Sequence, residues 1–468
     1  MNDPSRGLFC NRTLNLRGVR AIGYDMDYTL IHYFVDAWER AAFEHARDVL
    51  GEQGWPVEGL TFDPDAYTLG LTFDLDLGNL VKATRFGYVV SAQHGRDMLR
   101  FRDLRDTYYG TVVELSDDRF EFMNTLFELS RAALWSQLVE RHDRTPLPGI
   151  SSYAGLYRAI DRALGTVHRD GSLKAAIVAD PERFVDPDPD LVPTLQEQRL
   201  AGKQLLLITN SEWSYTQQMM TWTLDRFMPQ GQTWRDLFDL VIVAAAKPRF
   251  FSEPGPIFRV VDEERGLLEP HLGPLAGDAV YHGGNARMVE ASLGHDPAQF
   301  LYVGDHLFGD VHVTKDVLRW RTALIARELE AEVQAAQSFA PDAERLRSMM
   351  DEKVARERAH SRLRLERRRS VVAEHDHAEL DAEVDAAAGA VAEIDEQIAP
   401  LARAATEQGN ERWGPLMRAG VDKSLFARQV EKYADVYTSR VSNFRAETPY
   451  GYLRAARGSL PHDAVVVD

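Results

Sequence analysis

Five short apolar runs, each closed by polar residues, constrain the fold of this 468-residue chain more than any other feature. They occupy residues 19–24, 204–208, 240–244, 299–303 and 322–326. Runs this short that stay apolar throughout suit strands buried on both faces, and here they alternate with stretches of helical character. The pattern predicts an α/β fold with a doubly wound, parallel, Rossmann-like sheet and helices on both faces. In such sheets a ligand sits beyond the carboxyl ends of the strands. The residues to inspect are therefore Asp25-Met-Asp27, Thr209-Asn210-Ser211, Lys247-Pro248 and Gly304-Asp305.

The first two runs lie about 180 residues apart, far beyond the dozen or so that a crossover needs. The interval has aromatic and apolar content of its own, at 120–127 and 153–160, and residues 34–195 are expected to form mainly a large α+β cap inserted over the site. The core then comprises 1–33 and 196–330. The stretch 186–190 reads Asp-Pro-Asp-Pro-Asp. Its prolines suit neither a helix interior nor a central strand, so it marks the return to the core. Past Arg327 the composition turns to Ala, Glu, Arg and Leu. Leu380, Val384, Ala387, Val391, Ile394 and Ile398 recur at helical spacing, which predicts a helical insertion over 331–410. Residues 351–370 hold eight Lys/Arg and four Asp/Glu, whereas 371–397 hold nine acidic residues and no Lys/Arg. Two helices joined near Val371 could pair as an antiparallel hairpin, although no Gly or Pro at the junction forces a break there. The basic half would also suit RNA, but a solvated or self-paired face is the simpler expectation. Residues 411–468 are expected to pack on the core or in an oligomer interface.

Composition narrows the function classes. The chain carries 54 Lys+Arg against 72 Asp+Glu, a net charge of −18, which argues against a protein devoted to coating nucleic acid. A single cysteine, Cys10, excludes an internal disulfide and, with no activating histidine nearby in sequence, is expected to be inert. No apolar run approaches the roughly 20 residues of a membrane span. Residues 1–20 are polar and lack a signal-peptide core, so the expected location is the cytoplasm.

The strand ends carry chemistry together that none carries alone. A carboxylate at the end of a buried strand, such as Asp25, can attack phosphorus and form an aspartyl-phosphate. Asp27, two residues on, can point into the same cleft, protonate the leaving oxygen and then activate water. The bland reading is a pair of aspartates capping the next helix. Thr209-Asn210-Ser211 offers hydroxyl, amide and backbone N–H groups at a helix start, which suits an anion. Lys247 offers a fixed positive charge. Asp305 and Asp310 follow a fourth strand and are hard oxygen ligands of the kind Mg²⁺ takes. Two other features are expected to be inert: the tract Glu374-His375-Asp376-His377, a solvated helix face, and Gly283-Gly284, a turn before a helix.

Taken in order, Asp-Met-Asp-Tyr-Thr-Leu (25–30), Thr-Asn-Ser (209–211), Lys-Pro (247–248) and Gly-Asp-His-Leu-Phe-Gly-Asp (304–310) resemble the motifs of the haloacid-dehalogenase-like phosphohydrolases. Within them the chain is similar to the cytosolic purine 5′-nucleotidase family of the IMP/GMP-preferring type. Further similar segments are Gly-Asn-Leu-Val-Lys (78–82), Asn-Thr-Leu-Phe (124–127), Val-His-Arg-Asp-Gly-Ser-Leu-Lys (167–174), Ser-Leu-Phe (424–426) and Tyr-Ala-Asp (433–435). The resemblance implies a Mg²⁺-dependent enzyme that hydrolyses a nucleoside 5′-monophosphate through an aspartyl-phosphate, an intermediate that an acceptor nucleoside could also intercept. It implies Asp25 as nucleophile, Asp27 as general acid/base, Lys247 as the cation on the phosphoryl group, and Thr209 and Asn210 as phosphate ligands, with Lys174 reaching the phosphate from the cap. Mg²⁺ would sit on Asp305, the Asp25 carboxylate and the Asp27 backbone carbonyl, with Asp310 supporting or completing the set.

It also implies that Phe127 stacks on the base and His168 contacts the nucleotide, although Phe127 equally suits a cap-core aromatic and His168 a structural histidine. Where the family carries an Arg and an Asp upstream of that histidine, this chain has Asp161 and Gly165, with Arg162 beside the first. The family's base preference is therefore not carried over by those residues. The expected assembly is a homo-oligomer, dimer or tetramer. Two rivals stand beside this reading. One is a phosphatase of the same chemistry acting on another small phosphoester, and the other is a catalytically weak scaffold that binds a partner through the helical insertion.

Overall fold

A computed structural model of the chain describes residues 4–372 and 378–456, without the side chains of 167–170 and 371–372. The tract Glu374-His375-Asp376-His377 lies outside the described residues. Two compact units are present, one formed by 1–330 with 416–468 and the other by 331–415.

All five expected strands lie in one ten-stranded sheet of the larger unit. In chain order its strands are β1 (Phe9–Cys10), β2 (Ala21–Tyr24), β3 (Gln204–Ile208), β4 (Leu240–Val243), β5 (Ile257–Asp262), β6 (Leu267–Pro270), β7 (Val280–Gly283), β8 (Phe300–Gly304), β9 (Arg321–Ile325) and β10 (Val436–Thr438). In space they run β1-β10-β9-β8-β2-β3-β4-β7-β5-β6. From β10 through β7 every neighbouring pair is parallel, and β1, β5 and β6 form antiparallel margins. The chain steps from β2 to β3, β4 and β7 on one side, then to β8, β9 and β10 on the other. The order therefore reverses at β2, whose carboxyl end is the topological switch point.

The middle strands are apolar throughout because helices and loops cover both faces. Leu206, Ile208, Ile242, Phe251, Phe300, Tyr302 and Trp320 belong to one buried cluster, in which Phe300 and Trp320 stack at 4.5 Å with planes 9° apart. Burying each such side chain contributes on the order of 1.5–3 kcal/mol. Gly23 in β2 permits this packing, since a Cβ there would stand 2.8 Å from the Tyr302 ring. Gly283 and Gly284 form the expected turn, with Asn285 capping the helix Ala286–Leu293.

Between β2 and β3 the chain builds a second, antiparallel sheet of five strands, Asp97–Met98, Val89–His94, Asn79–Ala83, Thr72–Asp74 and Phe120–Phe122 in spatial order. Helices α1 (Val35–Glu52), α2 (Leu129–Arg144), α3 (Tyr153–Asp170) and α4 (Ser172–Ala179) accompany it. The chain enters and leaves this region through two paired strands, His32–Tyr33 and Val185–Asp186. The acidic return loop is pinned by arginines from remote segments: Arg327 and Arg440 reach Asp186 at 3.0 and 3.3 Å, and Arg6 reaches Asp188 and Asp190 at 3.6 and 3.4 Å. After β3 comes α5 (Trp213–Leu224).

The smaller unit is built from α6 (Leu329–Val372), beyond its first turn, and α7 (Ala378–Thr406). The two run antiparallel with opposite charges facing. Lys353 meets Asp395 at 2.5 Å, Arg356 Nη1 donates to the Ala390 carbonyl at 2.7 Å, and Arg367 pairs with Asp381. Val384, Ile394 and Ile398 form the buried stripe of α7.

Candidate active site

The carboxyl end of β2 aims two carboxylates in different directions. The Asp25 N–H donates to the Val303 carbonyl at 2.9 Å and so prolongs the sheet register by one residue. The chain then closes on itself: Leu30 and Ile31 N–H both donate to the Met26 carbonyl at 2.9 Å, and Tyr28 takes a left-handed φ of 53°. Asp25 Oδ1 accepts from Met26 N–H at 2.8 Å and from Lys247 Nζ at 2.7 Å. Asp27 turns elsewhere, taking a hydrogen bond from Tyr33 OH on Oδ1 at 2.5 Å and one from Ser211 Oγ on Oδ2 at 2.7 Å.

Lys247, whose side chain is 3 % exposed, uses all three ammonium hydrogens. Beyond Asp25, they go to Asp310 Oδ1 at 2.8 Å and Tyr302 OH at 3.1 Å; Tyr302 OH in turn donates to the Ile208 carbonyl. Burial works against the lysine's charge, but Asp25 and Asp310 outweigh it and hold its pKa well above the ordinary value. Burial pushes the Asp25 carboxyl up to about 7, against the pull of Lys247. Asp305 is driven well up by burial, then by the neighbouring Asp310 and Asp25.

Carboxylate oxygens of Asp25, Asp305 and Asp310 lie within 4.8 Å of one another, the three-carboxylate cluster among the described residues. Three carboxylates share one ammonium, and burial pushes Asp25 and Asp305 toward their neutral forms, so a further cation is what would ionise all three. That set of hard oxygen donors fits Mg²⁺. The Asp27 carboxylate stands outside the cluster, so only its backbone carbonyl is left for a metal role. Gly304 makes room for Asp310: a Cβ there would lie 2.6 Å from the aspartate's Cβ and Cγ.

The remaining expected residues come from β3, the loop after β4, and the segment between β2 and β3. Thr209 is buried, and its Oγ1 accepts from Ser211 N–H at 3.0 Å. Asn210 brackets the Lys247 backbone, accepting its N–H at 2.6 Å and donating to its carbonyl at 3.2 Å. Both residues precede α5, whose N-terminus has no side-chain cap. Lys174 on α4 donates to Ser211 Oγ at 3.2 Å and lies 4.8 Å over the Tyr215 ring. Phe127 packs edge-on to Tyr28 and Trp38 at 4.7 and 5.4 Å.

Nine expected site residues, Asp25, Asp27, Phe127, Lys174, Thr209, Asn210, Lys247, Asp305 and Asp310, line a single cavity of about 590 Å³. The tenth, His168, has its backbone in α3, and its side chain lies outside the described residues.

The structure adds contacts and residues that the sequence did not specify. Thr125 Oγ1 donates to Asp305 Oδ2 at 3.1 Å, and Tyr33 and Ser211 hold Asp27. Glu128 and Arg131 also line the cavity. Thr125 and Ser211 stood inside matched motifs and were legible. Tyr33, Glu128 and Arg131 had no such marker beyond the helical i, i+3 spacing of the last two.

A buried aspartate locked to a lysine at the switch point of a parallel sheet, with two further carboxylates beside it, is the arrangement the strand-end motifs predicted. The chain is a phosphoric monoester hydrolase. Within that class, it belongs to the 5′ nucleotidase family, whose sequence profile matches residues 8–465. It is 26 % identical over 478 aligned positions to a 5′-nucleotidase domain-containing protein of Dictyostelium discoideum, covering 98 % of this chain and 75 % of that relative. Among solved structures it is similar to a β-phosphoglucomutase from a Pyrococcus species, at 9 % identity and a TM-score of 0.32 over 66 % of this chain and 87 % of that one. It is also similar to a predicted phosphoglycolate phosphatase from Haemophilus somnus, at 12 % identity and a TM-score of 0.30 over 66 % and 86 %. No helix of the described residues is long and apolar enough to cross a membrane.

Proposed function

We propose that the protein is a Mg²⁺-dependent 5′-nucleotidase that cleaves nucleoside 5′-monophosphates, purine ones in particular, to nucleoside and phosphate. The observation that carries this reading is the Asp25–Lys247–Asp310 lock with Asp305 beside it, opening into a cavity that also holds Phe127 and Lys174. Asp25 is the nucleophile. Its Oδ1 is engaged by Lys247 and Met26 N–H, which leaves Oδ2 free of hydrogen bonds among the described residues to form the bond to phosphorus. As the phosphorus–oxygen bond to the nucleoside breaks, Asp27 gives its proton to the leaving 5′ oxygen. Asp27 then takes a proton from the water that hydrolyses the aspartyl-phosphate; an acceptor nucleoside in place of water gives phosphotransfer. Tyr33 and Ser211 keep the Asp27 carboxylate aimed through both steps.

Thr209, Asn210 and Lys174 meet the phosphoryl oxygens and Lys247 supplies fixed positive charge beside them, since phosphoryl transfer asks mainly for positioned cations and donors. Asp25, Asp305, Asp310 and the Asp27 carbonyl would hold Mg²⁺, which supplies charge neutralisation and favours the ionised form of Asp25.

The test is phosphate release from a panel of nucleoside monophosphates and sugar phosphates, with Mg²⁺ or with EDTA. Mg²⁺-dependent release from purine nucleotides is expected. A clear preference for a sugar phosphate refutes the nucleotidase reading, and no turnover of any ester refutes the chemistry. Asp25→Asn should stay folded and lose turnover by about a thousandfold or more.

A further inference from the structure

The three clustered carboxylates are held by different donors. Asp25 gives Oδ1 to Lys247 and to Met26 N–H, and Asp310 gives Oδ1 to Lys247 and Oδ2 to His306 N–H at 3.2 Å. Asp305 takes one hydrogen bond among the described residues, from Thr125 Oγ1 to its Oδ2 at 3.1 Å, and its Oδ1 accepts none there. Thr125 belongs to the segment inserted between β2 and β3, lies 180 residues from Asp305 in sequence and is 6 % exposed. It opens the short turn Leu126–Glu128, a place where a threonine ordinarily caps the backbone. Here its hydroxyl makes no cap bond and goes to Asp305 instead. Glu128 Oε2 takes the Asn124 N–H at 2.7 Å, and the Phe127 ring packs against Tyr28 and Trp38. The turn is thus fixed without the threonine hydroxyl, which is left to serve the carboxylate.

We propose that Thr125 is a positioning residue that restricts Asp305 to one metal-binding oxygen and so makes the site select Mg²⁺ over Ca²⁺. This rests on the Mg²⁺ site of the proposed nucleotidase and deepens it. Mg²⁺ demands near-octahedral geometry, with six oxygens at about 2.0–2.1 Å and waters completing the set. Ca²⁺ takes up to about eight oxygens at roughly 2.3–2.6 Å and accepts both oxygens of one carboxylate. A protein donor seated on one oxygen of each carboxylate withholds that two-oxygen grip. Lys247 and backbone N–H groups supply the donor for Asp25 and Asp310. For Asp305 the threonine hydroxyl supplies it, so metal choice can be altered without touching the lysine or the nucleophile.

The experiment is calorimetric titration of the chelator-stripped full chain with MgCl₂ and with CaCl₂, for wild type, Thr125→Val, Thr125→Ala and Thr125→Ser. Asp305→Asn supplies the blank for cations bound elsewhere on this acidic chain. Wild type should bind Mg²⁺ more tightly than Ca²⁺. Losing a group that orients a metal ligand typically shifts affinity about 10- to 100-fold, so in Thr125→Val the Ca²⁺:Mg²⁺ affinity ratio should rise about tenfold or more. Thr125→Ala, which adds no bulk, should show the same rise even where valine disturbs the fold. Thr125→Ser keeps the hydroxyl and should hold the wild-type ratio. A merely structural role weakens both cations together and leaves the ratio in place, which overturns the proposal. So does a wild type that prefers Ca²⁺, or a serine variant that behaves like valine. If the wild type binds neither cation, the Mg²⁺ reading fails first and this proposal falls with it, whereas an unmoved ratio leaves that reading standing.

Discussion

Lys247→Met measures how much of the buried carboxylate cluster depends on one ammonium group. Lys247 is 3 % exposed and bridges Asp25 and Asp310, which are 12 % and 1 % exposed at their side chains, at 2.7 and 2.8 Å. Removing one partner of a buried pair costs about 3–5 kcal/mol, because the other is left charged and unpaired. Here two carboxylates are stranded, yet each keeps one donor: Met26 N–H on Asp25 at 2.8 Å and His306 N–H on Asp310 at 3.2 Å. The expected loss is therefore about 4 kcal/mol at pH 8 in EDTA. It shrinks as the pH falls, because burial, no longer opposed by Lys247, holds the Asp25 carboxyl higher still and lets it take up a proton. Adding Asp310→Asn to the variant removes one stranded charge and should recover roughly 2 kcal/mol, although Asp310→Asn alone is destabilising.

Urea unfolding of the four proteins in EDTA, with and without added Mg²⁺, gives the coupling directly. If the two substitutions add, or if Lys247→Met leaves stability unchanged at pH 8, the lysine is not what permits the burial. Turnover of Lys247→Met should drop about a hundredfold or more even where the protein is folded.

Other parts of the molecule make sharp predictions. Glu39 is fully buried, with Oε2 accepting from Ser130 N–H at 2.7 Å and Oε1 unpartnered, and burial pushes its carboxyl from 4.5 up to about 8. The folded chain thus keeps a proton that the unfolded chain releases, so the contribution of Glu39 to stability is greatest below about pH 4.5 and declines until about pH 8. At about 1.4 kcal/mol per pH unit the loss from pH 5 to 8 is roughly 4 kcal/mol; Glu39→Gln should lack it, and equal pH slopes in denaturant unfolding would count against this account. Gly304→Ala sets a methyl 2.6 Å from Cβ and Cγ of Asp310 and should raise the Mg²⁺ needed for half-activity about tenfold; an unaltered Mg²⁺ titration refutes it. Tyr33→Phe removes the 2.5 Å donor to Asp27 and should lower kcat roughly 10- to 100-fold with little change in KM, whereas a loss confined to KM would assign Tyr33 to substrate binding.

The strands that build the switch point were legible because a strand buried on both faces must be apolar at every position. That is a purely local signal, and β2, β3, β4, β8 and β9 fall within two residues of the runs that predicted them. Strand β10, three residues long, and the margin strands β5 and β6, whose side chains alternate or lie exposed, carry no such run. The opposite charges of α6 and α7 were visible, but the register that sets Lys353 against Asp395 was not.

The same division runs through the site. Sequence by itself determined which acids, amide and lysine end the strands, because those groups sit at fixed short distances from apolar runs. Tertiary structure alone decided that Thr125 meets Asp305 and that Tyr33 and Ser211 together aim Asp27. Those contacts join side chains up to 184 residues apart. A hydrogen bond needs its partners within about 3 Å, and only the docking of one element on another sets that distance.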